Sequence, residues 1–176
     1  MKKFQFLLLD AGPIIKLFEL GSWEKLIERC HVTVARTVVE EAVHTGQRCS
    51  LDYICFPFEE AAKQSHIRII DVPLPAIQSF LRDSTIGEKY AIDPGEAETL
   101  AFLANTFEVF VLCSADGAVF RVLGLLGKSQ QGISLEEILQ QIGLCRGNLG
   151  WEYSKKFREK YTRMGRADSI QGRGVR

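Results

Sequence analysis

The sequence predicts an α/β fold: three layers, with a central parallel sheet of four to five strands covered by helices on both faces. Two observations carry this. Apolar runs alternate with segments of helical spacing along the chain, the order that successive βαβ units impose. The apolar runs also lack the every-second-residue alternation of half-exposed strands, so they belong to strands buried on both sides.

Taken in order, "FQFLLL" (4–9) reads as the first strand, and Gly12-Pro13 as a turn into a helix with Pro at its first position. "SWEKLIER" (22–29) is an amphipathic helix capped by Ser22. "HVTVA" (31–35) is a second strand, and "RTVVEEAVH" (36–44) a helix that ends near Gly46. From Gln47 to Pro57 the periodicity is lost, which marks an insertion. A helix over 59–65, a strand "IRIIDV" (67–72) and a helix over 74–83 follow. After a polar stretch, "EAETLAFLAN" (96–105) has helical spacing with acids in its first turn, where the helix dipole favours them. "VFVLCS" (109–114) is a fourth strand, "DGAVFRVLGLL" (116–126) a helix, and "SLEEILQQI" (134–142) opens with a capping-box pair, Ser134 and Glu137. The last helix spans 150–164 and leads into a Gly/Arg-rich end expected to be flexible.

A length of 176 residues suits one domain with a sizeable core. Residues 1–145 are expected to form it, and 146–176 a basic helix and tail. The formal charge is zero, which excludes a generally basic nucleic-acid binder, but the distribution is uneven. Residues 146–176 hold nine Lys and Arg against three acids, and the preceding 145 residues hold 13 basic and 19 acidic groups. An acidic body with a basic end suits a polyanionic partner. Five scattered cysteines without a C-x-x-C pair argue against a disulfide framework and a zinc site. The opening apolar run is too short for an export signal because Asp10 stops it, and no later run reaches the roughly 20 apolar residues of a membrane span. A reducing, cytoplasmic location is the expectation.

In open parallel sheets ligands bind beyond the carboxyl ends of the strands. Asp10 and Asp116 each follow an apolar strand, Glu96 opens the helix before the fourth strand, and Glu40 lies one turn into the helix after the second. Each acid alone is an ordinary cap or first-turn residue. Four converging carboxylates would repel one another unless a cation neutralised them. Mg²⁺ keeps several waters and needs only one or two protein carboxylates plus substrate phosphates, and paired divalent ions support phosphodiester hydrolysis. No G-x-G-x-x-G turn, P-loop or D-x-D follows the first strand, and His31, His44 and His66 stand near no nucleophile elbow.

"FLLLDAGPIIKL", "TVVEEAV", "DPGEAETLAFLA" and "VLCSADGAVFRVLGL" together resemble the PIN domain, a small α/β nuclease fold known from VapC-like toxin ribonucleases. The resemblance covers about residues 4–145. It implies that Asp10, Glu40, Glu96 and Asp116 are catalytic and hold Mg²⁺ or Mn²⁺, with Glu40 preferred to Glu41 because it completes a T-x-x-E pattern with Thr37. It implies that Ser114 orders the site, that Glu98 is the second acid of G-E-x-E, and that Arg121 contacts a phosphate or pairs with an acid. Glu98 stands two residues from Glu96, about 200° around a helix, so the two should not face one metal. The implied activity is metal-dependent ribonuclease action, as in the toxin of a toxin–antitoxin pair, with an antitoxin protein and a homodimer as partners. The alternative is a PIN-like module that binds RNA or protein without cutting. Lys155, Lys156, Arg158, Lys160 and Arg163 are the expected nucleic-acid contacts of the basic end.

Overall fold

The opening apolar run forms β1 (Phe4–Leu9) at the centre of a five-stranded sheet. A computed structural model describes residues 4–48, 57–83, 86–144 and 149–172. Beside β1 lie β2 (Cys30–Ala35) and β4 (Val111–Cys113), with β3 (Ile67–Ile70) outside β2 and β5 (Gly132–Ile133) outside β4. Every pairing is parallel. Leu7, Leu8 and Leu9 are wholly buried, since both faces of β1 are covered; this is why the run shows no alternation. Truncating one of them to alanine would cost about 2–5 kcal/mol.

The helices are α1 (Ala11–Glu19), α2 (Trp23–Arg29), α3 (Arg36–Arg48), α4 (Phe58–Lys63), α5 (Leu74–Asp83), α6 (Ile86–Lys89), α7 (Pro94–Asn105), α8 (Gly117–Leu125), α9 (Leu135–Gln141) and α10 (Lys155–Ile170). One packed series runs from α1 through α3 and α7 to α5, and α8, α9 and α10 form another. The fold is thus α/β with three layers. Among the described residues no helix is long and apolar enough to cross a membrane.

Several boundaries differ from the sequence expectation. The first helix begins at Ala11, so Pro13 is its third residue, still within the first turn where a missing N–H costs nothing. Helix α3 continues through Gly46 to Arg48. The polar stretch holds the short α6, and the two-residue β5 was not read. Helix α10 starts at Lys155 and passes Gly165 to end at Ile170. It is no loose appendage: a Cβ on Gly165 would lie 1.8 Å from the Arg121 carbonyl oxygen, and one on Gly124 2.3 Å from that of Thr162. Two glycines let the backbones of α8 and α10 touch, and Phe157 joins the core. The expected insertion at 47–57 falls largely on residues outside those described, as do Cys49, Cys55, Cys145 and the last four residues.

Candidate functional site

Helix α7 begins at the carboxyl edge of the sheet, where Glu96 stands beside Asp10, and every residue from Gly95 to Ala101 is buried. A helix buried all round should be apolar, because buried polar groups demand partners. Yet α7 carries Glu96, Glu98 and Thr99, at 5%, 2% and 2% exposure. How each is satisfied separates structural from functional roles.

Glu98 is fully accounted for. Its two carboxylate oxygens accept from Thr37 N and Val72 N, each at 2.9 Å. These amides follow β2 and β3 respectively, so Glu98 brackets the ends of two strands and supplies the start of α3 with an acceptor that its own sequence lacks. It faces away from Glu96, as the helical rotation between them requires.

Glu96 turns toward β1 and β4. One oxygen accepts from Asp93 N at 3.1 Å, and among the described residues Glu96 is in no salt bridge. Burial, then the charge of Asp10, then those of Asp116 and Asp93 outweigh that hydrogen bond and push its pKa up to about 8. Asp10, 8% exposed, caps α1 through a 2.8 Å bond from Ala11 N and accepts from Ser114 Oγ at 2.7 Å. Burial raises its pKa, the two hydrogen bonds lower it, and Asp116 and Asp93 raise it again, for a net upward shift. Asp116 is exposed, caps α8 through Ala118 N at 2.5 Å, and donates its own N–H to Ser114 Oγ at 2.9 Å. The fully buried Ser114 therefore joins the ends of β1 and β4 and sets Asp10 against Asp116.

The fourth acid is not the one the T-x-x-E spacing selects. Glu40 is exposed, whereas Glu41 is half-buried and accepts from Gly95 N at 3.1 Å. Burial raises the Glu41 pKa, Gly95 lowers it, and Asp10, Asp93 and Glu98 raise it further. The reason is helix phase: the buried Val38 meets Gly95 of α7, and Glu41, three residues after Val38, shares that face while Glu40 is turned about 100° away. Gly95 permits the approach, since a Cβ there would stand 2.7 Å from Glu41 Oε2 and 2.9 Å from Val38 Cγ2.

Two further residues were not read from the sequence. Thr99 Oγ1 is buried without a hydrogen-bond partner and lines a small void with Asp10 and Glu96. Its position three residues after Glu96 is the only sequence signal for it. Tyr153, far outside the motifs, donates to the Gly12 carbonyl at 3.4 Å, and burial, then Glu152, Glu19, Cys113 and Asp10, push its pKa up to about 12. Arg121 does not face the cluster. It pairs with Asp168 at 2.6 Å and lies over the ring of Tyr90, whose hydroxyl donates to the same Asp168 oxygen at 3.0 Å.

Among the described residues no three His, Cys, Asp or Glu side chains already form a metal cage. The donors suit a looser arrangement. Asp10, Glu96 and Asp116 offer only oxygen, they act on one another through space, and the hydroxyl of Thr99 beside them lacks a partner. Such a set fits a hard divalent ion that retains waters and takes few direct carboxylates. No protein-family model matches the chain, and no curated protein matches it.

Proposed function

We propose that the chain is a divalent-metal-dependent ribonuclease whose centre is Asp10, Glu96 and Asp116, with Glu41 at its margin. One observation carries the reading: buried and exposed carboxylates converge at the carboxyl edge of the sheet, and burial and the charges of Asp10, Asp116 and Asp93 together push Glu96 up to about 8. An arrangement that destabilises the empty chain is maintained for what it binds. Asp10, Glu96 and Asp116 would hold Mg²⁺ or Mn²⁺. Such an ion supplies an activated water and charge neutralisation for phosphodiester hydrolysis. The chain's own residues do the positioning. Ser114 fixes the Asp10 carboxylate and the Asp116 backbone, the caps on α1 and α8 orient both side chains, and Glu96 keeps a proton near neutral pH while the centre is empty.

RNA as substrate, an antitoxin protein and a second copy of the chain as partners, and a cytoplasmic setting come with the resemblance to VapC-like toxins and belong to the same proposal. A second reading has its own support. Both oxygens of Asp10 already accept hydrogen bonds and among the described residues no three-acid cage is preformed, which suits a PIN-like module that binds RNA or protein without cutting.

Titration with Mn²⁺ and Mg²⁺ under a thermal melt, together with cleavage of single-stranded RNAs, separates the two. The ribonuclease reading expects a metal-dependent rise in Tm and metal-dependent cuts, both lost in Asp10→Asn while that variant melts in chelator at or above the wild-type temperature. Neither metal response nor cleavage across varied RNAs, with partner binding retained, would establish the non-cleaving module. Cleavage by Asp10→Asn at the wild-type rate would remove Asp10 from the centre.

A further inference from the structure

The basic residues of α10 are not equivalent. Arg158 forks onto Glu137 at 2.7 and 2.9 Å with its side chain only 15% exposed, so it ties α10 to α9 and its charge is neutralised. This takes Arg158 out of the expected nucleic-acid contacts. Farther along the helix, Arg166 donates its Nε to Ser129 Oγ at 2.7 Å. That bond reaches from α10 to the 3₁₀ turn Ser129–Gln131, and a groove of about 400 Å³ opens between them.

Arg163 and Arg166 both line this groove, and neither is in an ion pair among the described residues. Its one acid, Glu159, stands 3.8 Å from both Lys155 and Arg158. Thr162, 5% exposed, lines the same wall. The groove therefore presents two guanidinium groups without an acidic partner among the described residues, one of them fixed in orientation by Ser129, beside an acid that other cations already engage. Planar forks of N–H donors match phosphate oxygens, and fixing one in advance lowers the entropic cost of using it.

We propose that this groove is a phosphate seat, separate from the acidic centre, which holds the backbone of the RNA strand through Arg163 and Arg166. The choice of RNA rests on the ribonuclease reading; the seat itself rests on the groove. It lies toward the C-terminal end of α8, where Gly124 meets Thr162 and Arg166, and Asp116 caps the other end. Eight residues of helix separate Asp116 from Gly124, about 12 Å along the axis. A strand must therefore be several nucleotides long to occupy both places. The seat governs affinity for long RNA and leaves the chemistry on a minimal substrate untouched.

The test uses the full chain in chelator, which prevents cutting, and a labelled single-stranded RNA long enough to reach both places. Anisotropy across a salt series is compared for wild type and the double variant Arg163→Gln/Arg166→Gln. Loss of two phosphate contacts is expected to weaken binding about tenfold and to make the log–log salt slope shallower by about 1.4. Cleavage of a dinucleotide in Mn²⁺ should stay at the wild-type rate. Arg163→Gln alone, at an exposed position, should give about half the slope change and replaces the double variant if that fails to fold. Unchanged affinity and slope would overturn the seat while leaving the nuclease reading intact. Groove-dependent binding in chelator, with no cleavage of any RNA in Mn²⁺, would support the seat and overturn the nuclease. As a second arm, inorganic phosphate should shift the amide resonances of Ser129 and Arg166 in wild type, and acetate should not; equal shifts with both anions would overturn a phosphate seat.

Discussion

Ser114 Oγ donates to Asp10 Oδ2 at 2.7 Å while accepting from Asp116 N at 2.9 Å, so one buried hydroxyl holds the two acids that end adjacent strands. The geometry of the centre thus depends on a neutral residue. Ser114→Ala strips a donor from a buried carboxylate and orphans a backbone N–H. It should cost about 1–3 kcal/mol in urea unfolding and about 10–100-fold in Mn²⁺ affinity, as supporting partners of metal ligands commonly do. Unchanged metal affinity in a destabilised variant would limit Ser114 to a structural role.

Glu96 gives the metal-free chain a defined pH dependence. Its folded-state pKa is about 8 against an unfolded value of 4.5, raised by burial first and by Asp10 next. A group raised in this way contributes its full stability below about pH 4.5, where it is protonated in both states. That contribution is lost as pH rises toward 8, and levels off above. Stability in chelator should therefore fall between these limits by on the order of 5 kcal/mol. Glu96→Gln, which cannot ionise, should flatten this part of the profile in denaturant titrations. An equally steep decline in Glu96→Gln would locate the effect elsewhere.

The two neighbouring acids on α3 offer a paired comparison. Glu40 is exposed, while Glu41 meets Gly95 N and lies in the field of Asp10. Glu40→Gln should change stability by less than about 0.5 kcal/mol and leave RNA cleavage as it was. Glu41→Gln should lower cleavage by about tenfold or more and raise the melting temperature in chelator, since it removes one charge from a group of like charges. Reversed results would restore the T-x-x-E assignment.

Local signals made the frame legible. The apolar run of β1, the acid that stops it and the capping box of Ser134 and Glu137 are each complete within a few residues, and strand–helix alternation then leads to a parallel sheet. What was not legible depends on contacts across the chain. Gly165 looks like a helix stop in sequence, but it is a contact point where a Cβ would lie 1.8 Å from the Arg121 carbonyl oxygen, and α10 runs on through it. Glu40 and Glu41 are equivalent in composition and differ only in helix phase relative to α7. Arg121 matches a motif position, yet its partner Asp168 lies 47 residues away on α10, beyond any local pattern. The acids at strand ends could be found because strand ends are readable; Thr99 and Tyr153 could not, because a packed neighbour gives each its meaning.

Glu98 tests whether the second acid of α7 is structural. It is 2% exposed and accepts from Thr37 N and Val72 N, both at 2.9 Å, so it joins the segments after β2 and β3. In Glu98→Gln one oxygen becomes an amide nitrogen that cannot accept, and one of these two N–H groups loses its partner. A buried donor left without its charged acceptor costs about 2–3 kcal/mol, measurable as a lower midpoint in urea at unchanged slope. Because Glu98 points away from Glu96, Mn²⁺ affinity of the folded variant should match wild type. A tenfold loss of metal affinity with little loss of stability would instead make Glu98 part of the metal centre and reverse the division of roles between the two acids.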